Sequence, residues 1–165
     1  MKKILFLQTK HIPDGPTMVI RNIIRHLDRT VYEPVAACMY HSGEATEWFH
    51  ARGIKTINFD MKGPFNGWAD FLAVKRIADF IKREKIDLVH THLVRADIFG
   101  RLAAGKCGVP VISTVHNTEE HHVSQRLMDR FVRFMDKKTM AFAESIITVS
   151  EAVKQHVCAL YQLSG

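Results

Sequence analysis

Short, unbroken apolar runs alternate with longer stretches of helical period from one end of this chain to the other. Residues 4–7 form the first run, and a strand covered on both faces reads this way, as in a parallel sheet. A loop with Pro13, Gly15 and Pro16 follows, and then Ile20, Ile23, Ile24 and Leu27 fall on one helical face, with Arg21, Arg25 and Arg29 elsewhere on the wheel. Residues 34–40 read as a second strand, 44–52 as a short helix that Gly53 can stop, and 54–59 as a third strand. After a loop at 61–67, residues 68–85 carry an apolar stripe of Phe71, Val74, Ile77, Ala78 and Ile81. A fourth strand at 88–92 precedes a helix at 96–107, with Gly108 at the left-handed cap position and Pro110 just beyond. Residues 111–116 predict a fifth strand, 121–142 a helix and 146–149 a sixth strand; Ser150 can cap a last helix running to about residue 160.

Strands alternating with helices of this length predict an α/β fold: a doubly wound, mostly parallel six-stranded Rossmann-like sheet with helices on both faces. In such sheets ligands bind outside the carboxyl ends of the strands, near the point where strand order reverses. Candidate chemistry is therefore sought at that edge.

Composition changes the picture little. The 165 residues are 47% hydrophobic and 24% charged, as in an ordinary soluble domain. A net charge of +6 beside ten histidines permits phosphorylated substrates, nucleic acid or an anionic membrane surface as partners. RNA- and DNA-binding signatures are absent, so no nucleic acid partner is expected. Cys38, Cys107 and Cys158 lack any zinc or Cys-x-x-Cys spacing and read as reduced thiols. The apolar run at 4–7 is too short for a signal peptide, and no stretch approaches the roughly 20 apolar residues of a membrane helix. A cytoplasmic protein is expected.

Four features could carry chemistry. The loop Asp14-Gly15-Pro16-Thr17 lies between a buried strand and a helix start, where free N–H groups suit a phosphate and Gly15 lets it approach. Pro16 removes one donor, and the same residues also read as an ordinary helix start. Residues 100–107 match a P-loop up to Cys107, which stands where Ser or Thr should be, but they fall inside a predicted helix rather than before one. His90, His92, His116, His121 and His122 cluster toward the ligand edge; they could form a polar substrate site, hold a metal, or be structural. In the segment 121–142, Val123, Leu127, Phe131, Phe134 and Met135 make an apolar stripe beside Arg126, Arg130, Arg133, Lys137 and Lys138. Such a helix can lie on an anionic membrane, although more often its stripe packs on its own sheet.

The stretch Ile86-Asp87-Leu88-Val89-His90-Thr91-His92, with Arg95-Ala96-Asp97 and Gly100-Arg101-Leu102-Ala103-Ala104, resembles family 4 glycosyltransferases of the GT-B fold. So do Gly108-Val109-Pro110-Val111, Thr114-Val115-His116-Asn117 and Ile146-Ile147-Thr148-Val149-Ser150-Glu151-Ala152-Val153, in that order along nearly the whole chain. The resemblance implies that residues 1–165 are the N-terminal, acceptor-side domain of a retaining transferase, with the NDP-sugar held mainly by a C-terminal domain. It implies no metal and no cofactor besides the sugar nucleotide. His116 matches the histidine that reaches toward the transferred sugar. Gly15, Pro16 and Thr17 match the loop near the donor diphosphate, though Pro16 replaces a usual glycine. Asp14, His92, Arg95 and Asn117 fall on the acceptor side, and Ser150 and Glu151 on a helix start facing the cleft.

The family's Glu-x7-Glu pair belongs to the second domain, and no glutamate here has another eight positions on. The expectation is the acceptor-binding half of a hexosyltransferase building an envelope or capsular glycan, on a glycan or lipid-linked acceptor, inactive alone, and peripheral on the inner face of the membrane. Two rivals stand beside it: a non-catalytic nucleotide- or partner-binding α/β module, and a histidine-based metallohydrolase.

Overall fold

The computed structural model describes residues 1–61, 67–117 and 127–162, with the side chains of His41 and of residues 67–71 left aside. Six strands, β1 (Lys2–Lys10), β2 (Tyr32–His41), β3 (Lys55–Asn58), β4 (Leu88–His92), β5 (Val111–Val115) and β6 (Ser145–Thr148), pair in the order β3-β2-β1-β4-β5-β6. All five pairings are parallel. The helices between them are α1 (Gly15–His26), α2 (Ala45–His50), α3 (Gly67–Glu84), α4 (Val94–Cys107), α5 (Leu127–Thr139) and α6 (Glu151–Tyr161), with one 3-10 turn at Met140–Phe142. Strand order reverses between β1 and β4, so the crevice for a ligand opens where those two strands end.

The two faces of β1 separate the core. Ile4 and Phe6 join Ile20, Ile24 and Phe49 of α1 and α2, while Leu5 and Leu7 join Val74, Ile77, Ala78, Ile81 and Phe99 of α3 and α4. This period-two split is what a strand buried on both sides requires. Val115 and Met140 meet Val153, Val157 and Tyr161, which anchors α6.

Two predicted helix ends hold. Ser150 caps α6, its Oγ accepting from Val153 N at 3.3 Å. Gly108 closes α4 with φ at 65°, a conformation that favours glycine. β1 runs further than its apolar stretch, because Gln8 is buried with its side-chain amide bonded to Thr17. α4 begins at Val94, ahead of residue 96. Of the helix expected at 121–142, the described part is α5 and the 3-10 turn; His121, His122, Val123 and Arg126 lie outside the described residues.

The P-loop-like stretch is a packing surface. Gly100 sits mid-helix, buried, where an added Cβ would run into Thr91 Cγ2 on β4. Gly100→Ala is expected to destabilise the chain by about 1–3 kcal/mol, the usual cost of overpacking. Urea unfolding that finds no loss would show that Thr91 can rotate away.

Candidate functional site

At the end of β1 the chain turns through Asp14, which caps α1. Its Oδ1 accepts from Thr17 N at 2.9 Å, and Gly15 and Pro16 form the first helical positions. A Cβ added at Gly15 would meet nothing within 4 Å, so the loop presents open backbone there. Pro16 has no N–H and the Thr17 N–H is taken by Asp14, which leaves the Gly15 N–H as the donor at this helix end for an anion. Thr17 contributes no side chain outward: it is buried, its hydroxyl 3.1 Å from Gln8 Nε2 and 3.3 Å from Gln8 Oε1.

Across the reversal point, β4 delivers two histidines on one face, because residues two apart on a strand point the same way. The rings of His90 and His92 lie with centroids 4.4 Å apart and planes tilted by 31°, and those of His92 and His116 meet edge-on with centroids 5.1 Å apart and planes tilted by 34°. His92 Nδ1 lies 2.9 Å from His116 Nε2, and His90 Nε2 lies 2.8 Å from Thr114 Oγ1. The row thus runs from the buried face of β4 to the end of β5, with His116 outermost and half-buried. Asn117, also half-buried, follows it.

Burial sets the protonation of the row. It pushes His90 down to about 4, with His116 adding to the effect. It holds His92 well below the ordinary imidazole range, helped by His90 and His116. His116 is also lowered by burial, while the Asp14 carboxylate pulls the other way, which places Asp14 within electrostatic reach of it. The row is neutral near pH 7. Among the described residues no group of three or more His, Cys, Asp or Glu that could hold a metal ion comes together.

The same burial predicts a pH dependence. His11, pushed down to about 4 mainly by burial, adds to the effect of His90 and His92. The unfolded chain protonates these imidazoles near pH 6.5, while the folded chain resists until about pH 4, so the unfolded state binds more protons in between. Stability is full above pH 6.5 and falls as pH drops toward 4. Thermal unfolding followed from pH 7.5 to 4.5 checks this; a flat midpoint would contradict the neutral burial of these rings.

Leu93 follows His92 with φ at 76°, a strained conformation for a branched side chain at the entrance to α4. Two residues on, Arg95 Nη1 donates to Tyr40 Oη at 2.5 Å, and its guanidinium lies 5.6 Å from the Tyr40 ring centroid. Tyr40, at the carboxyl end of β2, was not foreseen as a site residue; an aromatic at a strand end on the ligand edge is the signal that could have found it. Ser150 and Glu151 follow directly on Val149, whose N–H donates to Val115 O at 3.3 Å, so they begin α6 at the same carboxyl edge, one strand over from His116. Both are exposed beyond β6, with Ser150 spent on the cap and Glu151 Oε1 accepting from Gln155 Nε2 at 3.5 Å. The structure therefore joins His92 to His116 by a hydrogen bond, sets Asp14 where its charge acts on His116, places Arg95 on Tyr40 at the same edge, and starts α6 with Ser150 and Glu151 on the neighbouring strand end.

A curated Escherichia coli protein, UDP-Gal:alpha-D-GlcNAc-diphosphoundecaprenol alpha-1,3-galactosyltransferase, is 44% identical over 48 residues, 28% of this chain and 12% of that protein. The Anabaena protein Alr3699/HepE, solved in complex with UDP and glucose, superposes with a TM-score of 0.75 at 18% identity, covering 100% of this chain and 43% of that one. A glycosyltransferase from Rickettsia africae ESF-5 gives 0.75 at 19% identity, covering 99% of this chain and 41% of that one. The chain therefore spans less than half the length of these solved structures, and the likeness shows a shared Rossmann-like domain of the GT-B type. The model of the Glycosyltransferase Family 4 matches residues 13–165, a span that begins at the loop after β1 and takes in the whole histidine row, and by that match the chain belongs to this family.

Proposed function

We propose that this chain is the acceptor-side domain of a retaining hexosyltransferase, working with a second, donor-binding domain to move a sugar from an NDP-sugar onto a lipid-linked glycan of the cell envelope. The observation that carries the reading is the family match along residues 13–165, which includes Asp14, Gly15, His92, Arg95 and His116. The name of the E. coli protein, similar over 48 residues, suggests the kind of substrates: a UDP-sugar donor and a diphosphoundecaprenol-linked acceptor. In this scheme the Gly15 N–H faces the donor diphosphate, and His116 meets the transferred sugar. Asp14, His92, Arg95 and Asn117 frame the acceptor side, and no metal or further cofactor takes part. The charge on a leaving diphosphate needs positive partners, which in this scheme come chiefly from the second domain.

The test uses the two-domain protein, a panel of UDP-hexoses and a polyprenyl-diphosphate-linked N-acetylhexosamine. The expected products are free UDP and an extended lipid with the donor's anomeric configuration, and the 165-residue chain alone is expected to be silent. Folded two-domain protein that transfers no sugar from any donor to any acceptor would overturn the reading.

A lipid-linked acceptor calls for contact with a membrane, and α5 favours one. Part of its apolar stripe is exposed: Leu127 is 82% exposed, Phe131 49% and Phe134 56%, while Met135 is half-buried and Asp136 and Thr139 are the buried positions among its described residues. Arg130, Lys137 and Lys138 are exposed on the same helix, and each cation near an anionic surface adds about 1 kcal/mol within a Debye length. Among the described residues no helix is long and apolar enough to cross a membrane, so the contact we propose is peripheral, on the inner face. Sedimentation with anionic vesicles at low salt is expected to pull the protein down, to weaken as salt rises, and to fail when Arg130, Lys137 and Lys138 are changed to Glu. Equal recovery in the supernatant with neutral and anionic vesicles would sink the membrane contact.

A further inference from the structure

His116 is held from behind by a residue that does not reach solvent. His92 is fully buried, with Nδ1 2.9 Å from His116 Nε2. The His90 ring lies against it with centroids 4.4 Å apart, and the remaining His92 nitrogen, Nε2, is buried with no hydrogen-bond partner. The 2.9 Å contact holds one proton, and the surroundings decide which ring carries it.

A neutral imidazole has one N–H and one bare nitrogen. If His92 Nδ1 were the acceptor, its Nε2 would carry the proton and leave a buried N–H without a partner. Orphaned buried donors are rarer than under-satisfied acceptors, because each forfeits its full desolvation cost. With the proton on Nδ1, Nε2 keeps only a lone pair. We propose that His92 is a positioning residue: it donates its Nδ1–H to His116 Nε2 and thereby fixes His116 in the tautomer that carries its proton on Nδ1.

The consequence reaches the crevice. Among the described residues His116 Nδ1 has no hydrogen-bond partner, and the ring is half-buried at the ligand edge. In this tautomer His116 offers the crevice one N–H donor and no basic nitrogen. It can hold a substrate oxygen, and it cannot accept a proton from one, so a general-base role is excluded in the resting state. The donor role rests on the glycosyl-transfer reading only for the identity of that oxygen.

The test is two-bond ¹H–¹⁵N correlation spectroscopy of the histidine-labelled 165-residue chain near neutral pH, with His116 assigned by its loss in His116→Gln. The expected pattern is a protonated Nδ1 and a bare Nε2 on His116. His92→Phe removes the donor and is expected to return His116 to the Nε2–H form that dominates free imidazole side chains. His92→Asn, whose amide nitrogen can stand near the place of Nδ1, is expected to restore the Nδ1–H form. Wild-type His116 protonated on Nε2 would overturn the proposal without any variant, and so would a pattern unchanged in folded His92→Phe. No readout here depends on sugar transfer, so this assignment and the transferase reading fail separately.

Discussion

In the two-domain transferase proposed above, replacing His116 with alanine is expected to lower kcat by about 10²–10³, the usual loss when one preorganised donor is removed from a reacting centre. His116 is the outermost member of a row whose other members are pinned: His90 to Thr114, and His92 between the two rings. A donor held this firmly pays little to reorganise when charge develops, so its contribution should appear in the transition state more than in ground-state binding. The kinetic signature is a fall in kcat and kcat/KM together, with KM nearly unchanged. The fold should survive, since His116 is half-buried and at a strand end rather than in a core cluster. Steady-state rates beside a thermal melt check both halves. Near-normal kcat in a folded variant would make the row a structural feature of the β4–β5 seam.

The alternation of apolar runs and helical stretches was enough to read the doubly wound sheet, because a strand buried on both faces and a helix buried on one leave different marks on the sequence. Two helix ends were legible for the same reason: Gly108 and Ser150 act locally, through their own backbone and side-chain geometry. The histidine row was half legible. Its members sit at the ends of predicted neighbouring strands, so their proximity followed from topology, whereas the 2.9 Å bond that links His92 to His116 depends on register. Partners far apart in sequence left no mark at all. Tyr40 and Arg95 are 55 positions apart, and Arg101 and Asp136 are 35 apart; nothing local in either residue announces the other. The loop after β1 shows a further limit. Its spacing suits an anion, but the Asp14 carboxylate occupies the Thr17 N–H, a detail that only the side-chain geometry decides. For α5 part of the amphipathic stripe is left uncovered, where the commoner arrangement packs it onto its own sheet: Phe131 and Phe134 are exposed.

The largest effect on stability is expected from Asp136→Ala. Arg101 is fully buried, with Nη1 donating to Asp136 Oδ1 at 2.6 Å and Nε donating to Ser113 Oγ at 2.8 Å. Tyr161 Oη donates to the other Asp136 oxygen at 2.7 Å, and burial beside that carboxylate pushes the phenol well up from its ordinary range. One carboxylate thus ties α4, α5 and α6 together over β5. Removing it leaves a guanidinium out of water with Asp97 at 3.7 Å as the nearest counter-charge. Breaking a buried charge pair of this kind costs about 3–5 kcal/mol, with the Asp97 contact drawing the loss toward the lower end, against about 0–1 kcal/mol for an exposed pair such as Lys2–Asp87. For a chain of this size each kcal/mol lowers Tm by roughly 2–4 °C, so the loss should be about 6–20 °C. Two further variants separate charge from packing. Tyr161→Phe removes one hydrogen bond and should lose about 1–3 kcal/mol. The double variant Arg101→Met with Asp136→Leu leaves neither charge unpaired and should lose less than Asp136→Ala alone, because the desolvation penalty of the guanidinium goes with it. Thermal and urea unfolding of the four proteins decides. An Asp136→Ala chain within about 1 kcal/mol of the parent would mean that the guanidinium finds water or swings onto Asp97, and that the seam between α4, α5 and α6 is held by its apolar contacts alone.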